Sequence, residues 1–365
     1  MNFDHWQNVL VVQTSFLGDT VLTLPLISEI KARFPSSKLT VLCGPLGKEL
    51  LQEHPAIDEI IVDDKKAADK GFLGLWRKCK VLREKTFTIA LSPHKSLRSA
   101  LLLYLARIPR RVGFRQSKGW FLFNLRVDRD GERHDVERNL SILDAFGIKP
   151  QECQRVLHLP VNPRREESAR RLLISLGANL EKLVLGVNPG SVWPTKRWTA
   201  EGFAKLIELM KNNYDCEILL FGGPEDAAVV SKIYNLSGGS AVNLVGRIGL
   251  RDLPGALGLC RVLVTNDSGP MHVAVARDVP TVAIFCATTP GLGFYPYSAN
   301  SIVLEKGLSC RPCASHGGRR CPLGTEDCMR LIKPESVFEA VRRLIERQTE
   351  IAADPRFGRP EFVLL

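Results

Sequence analysis

The chain has 365 residues, 45% hydrophobic and 24% charged, with 50 Lys and Arg against 39 Asp and Glu and a net charge of +11. These values are ordinary for a soluble globular chain of two domains, and the longest apolar run, around Leu101 to Leu105, is far too short to cross a bilayer. The segment from Met1 to His5 lacks a cationic start and an apolar core, so no signal peptide is expected and a cytoplasmic location is predicted.

In the N-terminal half, residues 8–13 (NVLVVQ), 38–43 (KLTVLC), 57–62 and 86–91 read as strands, and 20–34, 46–53, 73–84 and 96–107 carry helical apolar spacing. Such alternation predicts a parallel sheet covered on both faces. Two prolines and two charges interrupt the rhythm at 159–165 (LPVNPRR), as a linker would. The alternation then resumes, with strands at 183–187, 216–221, 242–245, 262–265 and 281–285 and helices at 199–212, 225–236 and 334–348. The expected α/β organisation is two Rossmann-like domains facing across a cleft. They span 1–160 and 183–335, joined through a linker or connecting helix at 161–182 and followed by a helix and tail at 336–365.

Candidate functional residues fall where predicted strands end, the edge at which open α/β sheets bind ligands. The most informative stretch is Thr265-Asn266-Asp267-Ser268-Gly269-Pro270-Met271-His272, between a buried strand and an alanine-rich helix. Ser268 or Asp267 can cap that helix and Pro270 suits its first turn, leaving N–H groups able to seat a diphosphate. Asp267, an acceptor-only group, would be repelled by phosphate and fits sugar hydroxyls instead. His272 either donates toward phosphate or supports the loop.

After the strand at 183–187 comes Asn188-Pro189-Gly190-Ser191-Val192-Trp193-Pro194-Thr195-Lys196-Arg197-Trp198. Ser191 offers a hydroxyl, and Lys196 or Arg197 offers a cation for diphosphate oxygens. The bland alternative is a polar loop anchored by its tryptophans. Glu225, after Gly222-Gly223-Pro224, could hold a ribose hydroxyl or simply favour a helix N-terminus. In the first half, Thr14-Ser15-Phe16-Leu17-Gly18-Asp19 has neither G-x-G-x-x-G nor a Walker lysine. Its Asp19 is suited to accepting a proton, or to capping the next helix.

Seven Lys or Arg and no acid lie between His94 and Trp120, among them Lys95, Arg98, Arg111 and Arg115. This island attracts phosphorylated ligand or anionic membrane, or is a solvated face; aromatics are not interleaved as nucleic acid would require. Cys43, Cys216, Cys260 and Cys286 read as reduced core residues. The other distinctive group is Cys310-x2-Cys313-x7-Cys321-x6-Cys328 in a segment at 308–330. Its spacing allows tetrahedral zinc, an iron–sulfur cluster, or simply reduced thiols.

Gly18-Asp19 with Leu24-Pro25, the segment from Pro189 to Trp198, and Asn266 to His272 together resemble glycosyltransferase family 9, the ADP-heptose heptosyltransferases, with the heptosyltransferase II branch nearest. The resemblance implies a GT-B fold and inverting transfer of heptose from ADP-L-glycero-β-D-manno-heptose to the lipopolysaccharide inner core, with no cofactor required. It implies Asp19 as general base and Lys196, with Ser191 nearby, at the departing diphosphate. Asp267 would meet heptose hydroxyls, the Ser268 and Gly269 amides phosphate, and Glu225 the adenosine ribose. Lys95, Arg98, Arg111, Arg115 and Arg138 would meet an acceptor rich in phosphate and carboxylate, with peripheral contact to the inner membrane and no nucleic-acid partner. The rivals are another GT-B nucleotide-sugar transferase, an epimerase, and a non-enzymatic module for anionic lipid.

Overall fold

Thirteen strands among the described residues assemble into two wholly parallel sheets, in a computed structural model that describes residues 6–347 and 358–365. The chain divides into two units, Met1–Val156 and Leu157–Leu365. The first sheet contains β1 (Asn8–Gln13), β2 (Lys38–Cys43), β3 (Glu59–Val62), β4 (Ile89–Ser92), β5 (Arg110–Phe114) and β6 (Leu125–Val127), in the order β3-β2-β1-β4-β5-β6. The second contains β7 (Leu183–Asn188), β8 (Cys216–Leu220), β9 (Val242–Asn243), β10 (Val262–Asn266), β11 (Thr281–Phe285), β12 (Ser301–Glu305) and β13 (Glu361–Leu364). Its order is β13-β12-β11-β10-β7-β8-β9.

Each order reverses once, between β1 and β4 and again between β7 and β10, which pair side by side. At such a reversal neighbouring helices depart to opposite faces and leave a crevice beyond the strand C-termini. The central strands are buried along nearly their whole length, because helices cover both faces. Val12, Leu42, Leu102 and Phe123 belong to the core of the first unit; Val187, Phe203, Ile284 and Val341 belong to that of the second.

Several elements differ from the sequence reading. The helix expected over 20–34 is two helices, Leu17–Leu22 and Leu24–Arg33, divided at Thr23 where Pro25 enters the first turn without an N–H. The connection at 161–182 does contain a helix, Pro163–Ser175, opened by the Asn162 side chain accepting from the Arg164 N–H. Strands β5, β6, β12 and β13 were not anticipated. β5 begins with two arginines, and β13 lies in what reads as a tail, yet it pairs in register with β12. The expected helix end at Gln348, and the stretch from Met1 to His5, lie outside the described residues.

Candidate active site

In the second unit the loops after β7 and β10 are tied into one polar constellation. Asn188, the last residue of β7, donates from Nδ2 to Thr265 Oγ1 at 2.9 Å and to Ser268 Oγ at 3.1 Å. Asn266, the last residue of β10, donates to the Pro189 carbonyl at 2.8 Å and accepts from the Trp198 N–H at 2.9 Å. Each central strand thus holds the other strand's loop. Lys196 and Asp267 meet across this junction, Nζ to Oδ2 2.6 Å, with side chains only 13% and 7% exposed. Thr288, just beyond β11, donates to the same Asp267 oxygen at 2.7 Å.

Ser268 is the N-cap of the helix Gly269–Ala276, but its side chain does not cap that helix. Its hydroxyl is instead drawn back toward Asn188 and Thr265. First-turn N–H groups of that helix are therefore left without a side-chain cap. His272 is wholly buried one turn later, and loss of hydration pushes its pKa down to about 4, with Asp267 opposing and Lys196 adding to the shift. It is a neutral imidazole, not a cation for phosphate, and its Nδ1 has no hydrogen-bond partner among the described residues.

Arg197 is occupied structurally. It donates to the Ser191 carbonyl from Nε at 2.9 Å and pairs with Asp226 at 3.1 Å. A Cβ on Gly190 would come within 2.2 Å of the Asp226 carboxylate, which explains glycine there. Ser191 is buried at the loop's start, whereas Glu225 is exposed in the turn Pro224–Asp226 after β8.

The cysteine segment is fastened to this constellation. Gly318 donates to Thr195 Oγ1 at 2.8 Å, and its carbonyl accepts from that hydroxyl at 3.0 Å and from the Thr195 N–H at 3.2 Å. Arg311 donates to the Thr288 carbonyl at 2.6 Å and the Phe285 carbonyl at 2.9 Å. Cys310 is exposed, Cys313 and Cys321 are half-buried and Cys328 is buried; all ten cysteines are free. Burial pushes the Cys328 thiol up to about 11. No group of three or more His, Cys, Asp or Glu among the described residues is arranged to hold a metal ion. The four thiols supply suitable donor chemistry without that geometry.

In the first unit the loops after β1 and β4 meet likewise. Thr14 Oγ1 lies 3.4 Å from His94 Nδ1, and Lys65 donates to the Thr14 carbonyl at 2.7 Å. Asp19 is half-buried in the helix Leu17–Leu22, and its Oδ2 accepts from the Phe16 N–H at 3.1 Å. It is both a helix-start group and a carboxylate at the crevice.

The basic island does not form one surface. Lys95, Arg98 and Arg115 follow the C-terminal ends of β4 and β5, but Arg111 sits at the start of β5, at the opposite edge of the sheet. Arg111 donates to the Leu122 carbonyl at 2.9 Å and lies over the Tyr104 ring at 5.5 Å, which fits folding rather than acceptor contact. Arg98 is likewise bound, to Asp63 through contacts of 3.1 and 2.8 Å. Arg138 is buried in the helix Asp135–Leu140, donating to the Asp130 carbonyl at 3.2 Å. Arg115 remains exposed, with Asp128 at 3.6 Å.

Arg129 went unnoticed in the sequence. It pairs with Asp135 at 2.5 Å, and its buried Nε has no hydrogen-bond partner among the described residues. Burial, then the Arg129 and Arg138 charges, lower the Lys95 pKa. Asn139 on the same helix donates to the Leu22 carbonyl at 3.0 Å, which brings this cationic group beside the helix of Asp19. Thr288 was also missed, although its place beyond a strand end follows the rule that found Asp267.

The model of glycosyltransferase family 9 (heptosyltransferase) matches residues 75–322. The chain belongs to glycosyltransferase family 9. Its curated relatives include lipooligosaccharide heptosyltransferase 2 of Campylobacter jejuni, 28% identical over 337 residues, 90% of this chain and 96% of the relative. Among solved structures, a family 9 glycosyl transferase from Veillonella parvula is 27% identical with a TM-score of 0.81, over 95% of this chain and 99% of that one. The ADP-heptose LPS heptosyltransferase II of E. coli, 24% identical, has a TM-score of 0.76 over 94% and 100% of the two chains. This family 9 member is a glycosyltransferase with the GT-B type of fold, two Rossmann-like units.

Proposed function

We propose that this chain transfers heptose, with inversion, from ADP-L-glycero-β-D-manno-heptose to the phosphorylated inner core of lipopolysaccharide, as a heptosyltransferase II-like enzyme. The observation that carries the reading is the junction of β7 and β10, where a lysine, open helix-start amides and a buried carboxylate lie together. The cation and amides suit a diphosphate, and the carboxylate suits sugar hydroxyls. A non-enzymatic module for anionic lipid leaves these groups unexplained.

In this mechanism Asp19 takes the proton of the acceptor hydroxyl as it attacks the anomeric carbon opposite ADP. Bond breaking places charge on the departing phosphate, which Lys196 and the Gly269 helix-start dipoles stabilise. Ser191 and Glu225 hold phosphate and ribose. Asp267, fixed by Thr288, orients the heptose, and His272 packs beneath the loop as a neutral support. Acceptor phosphate and carboxylate meet Lys95, Arg115 and the Arg129–Arg138 pair. No step is routed through the four cysteines. The protein works at the cytoplasmic face of the inner membrane; no described helix is long and apolar enough to cross one.

A donor–acceptor assay with ADP-heptose and truncated core acceptors tests the reading, alongside calorimetry with ADP, UDP and GDP. Heptose transfer and ADP preference are expected. Strong UDP preference without heptose transfer would replace this reading with that of another GT-B enzyme.

A further inference from the structure

The first unit carries an apolar surface that its own core leaves uncovered. The helix Gly71–Glu84 turns Leu75, Cys79 and Leu82 inward against Leu102 and Leu103 of the helix Leu97–Leu105. Its opposite face presents Phe72 at 73% exposure, Leu73 at 82% and Trp76 at 44%. Phe72, Trp76 and Lys80 follow at intervals of four residues and so share one helical stripe. The helix Leu97–Leu105 packs beside the turn Trp120–Leu122, where Trp120 and Phe121 are also exposed. Leu97, exposed as well, lies against Gly119 at the base of that turn.

Cations surround these side chains. Lys70, Lys80 and Lys118 are exposed, and the Arg126 guanidinium lies over the Trp120 ring at 5.1 Å. No Asp or Glu occurs from Lys70 to Arg83 or from Lys95 to Val127. A partner protein with an apolar face would not require this one-signed surround, whereas a bilayer with anionic headgroups does. Large aromatics interspersed with lysine match the boundary between headgroups and acyl chains.

We propose that the Phe72–Leu73–Trp76 face docks on an anionic lipid bilayer, with Trp120 and Phe121, which lie beside the helix Leu97–Leu105, as a second apolar contact. The proposal deepens the heptosyltransferase reading and rests on its lipid-anchored acceptor. The start of Gly71–Glu84 follows β3, and Leu97 follows β4, so the docking face adjoins the strand-end edge that carries Asp19 and Lys95. An acceptor would then be met where its anchor enters the membrane.

Co-sedimentation of the full chain with vesicles tests this. Binding is expected to vesicles of phosphatidylcholine with phosphatidylglycerol, to weaken as salt rises, and to be slight on phosphatidylcholine alone. Phe72→Ser with Leu73→Ser should lower the partition coefficient at least ~10-fold. The same double variant should keep its ADP affinity and its turnover of a delipidated, water-soluble acceptor, which shows that it folds. Undiminished partition of the variant, or no binding of the wild-type chain to anionic vesicles, overturns the proposal. A wild-type dimer that the variant converts to monomer, without vesicle binding, would reassign the face to contact between copies. Vesicle binding lost in the variant, with no heptose transfer by either chain, would sustain the docking face and reject the substrate reading alone.

Discussion

Lys196 and Asp267 form an ion pair of 2.6 Å between loops that leave two adjacent central strands. Both groups are largely withdrawn from water, so each depends on the other for charge compensation. A diphosphate arriving at Lys196 would compete with Asp267 for that ammonium, releasing the carboxylate toward a sugar. Asp267→Ala should therefore separate the two tasks. Losing one partner of a mostly buried pair costs on the order of 3–5 kcal/mol. Added ADP, as a replacement anion, should restore more thermal stability to the variant than it adds to the wild type. Turnover should fall while ADP affinity is kept or strengthened. Calorimetry showing weaker ADP binding in Asp267→Ala would refute the competition.

Asp19 holds a helix start and is proposed to take a proton, and one substitution can distinguish these roles. Asp19→Asn keeps an oxygen that can accept from the Phe16 N–H but cannot serve as a base. Melting temperature should change little, since an intact cap is worth only about 1 kcal/mol. Turnover should fall by at least ~10²-fold with ADP affinity unchanged. Near-normal turnover would remove Asp19 from the chemistry.

Gly317 backs Lys196. Its φ is +82°, and an added Cβ would lie 2.8 Å from Lys196 Cγ. Gly317→Ala should push the lysine aside and, through backbone strain, cost roughly 1 kcal/mol or more of stability. The KM for ADP-heptose should rise several-fold, and in a Lys196→Ala background the same change should have no further effect on ADP affinity. An additive loss in the double variant would show that Gly317 acts elsewhere.

His94 and His272 link stability to pH. Loss of hydration pushes both pKa values down to about 4, aided by Lys65 at His94. An unfolded histidine titrates near ~6.5, so below that pH the unfolded chain binds protons that the folded one refuses. Stability is thus intact above ~6.5 and declines as pH falls toward 4, each residue contributing a slope of up to ~1.4 kcal/mol per pH unit. Urea unfolding between pH 7 and 5 should show the decline, and His272→Gln should make it shallower. A flat profile in the wild type would mean that neither ring resists protonation in the folded chain.

The sequence makes the two sheets legible because buried parallel strands read as apolar runs, and β1 and β2 occur within the expected limits. The loops of Asp19, Lys196 and Asp267 were legible for the same reason, since each directly follows such a run. What escaped the sequence was whether a polar group is already occupied. Arg98, Arg111 and Arg197 look like available cations until Asp63, the Leu122 carbonyl and Asp226 are seen beside them. Arg129 was hidden conversely: its importance comes from Asp135 and Lys95, which only the folded chain brings near it. β5 escaped because its two arginines mask a strand of otherwise ordinary composition.

Each unit builds its polar loop pair from its own two central strands, β1 with β4 and β7 with β10. Neither half borrows a strand from the other to shape those loops. On the proposed assignment, choice of acceptor and choice of nucleotide are therefore separable modules. A chimera joining residues 1–156 to the second half of a relative would inherit its acceptor from one parent and its donor from the other.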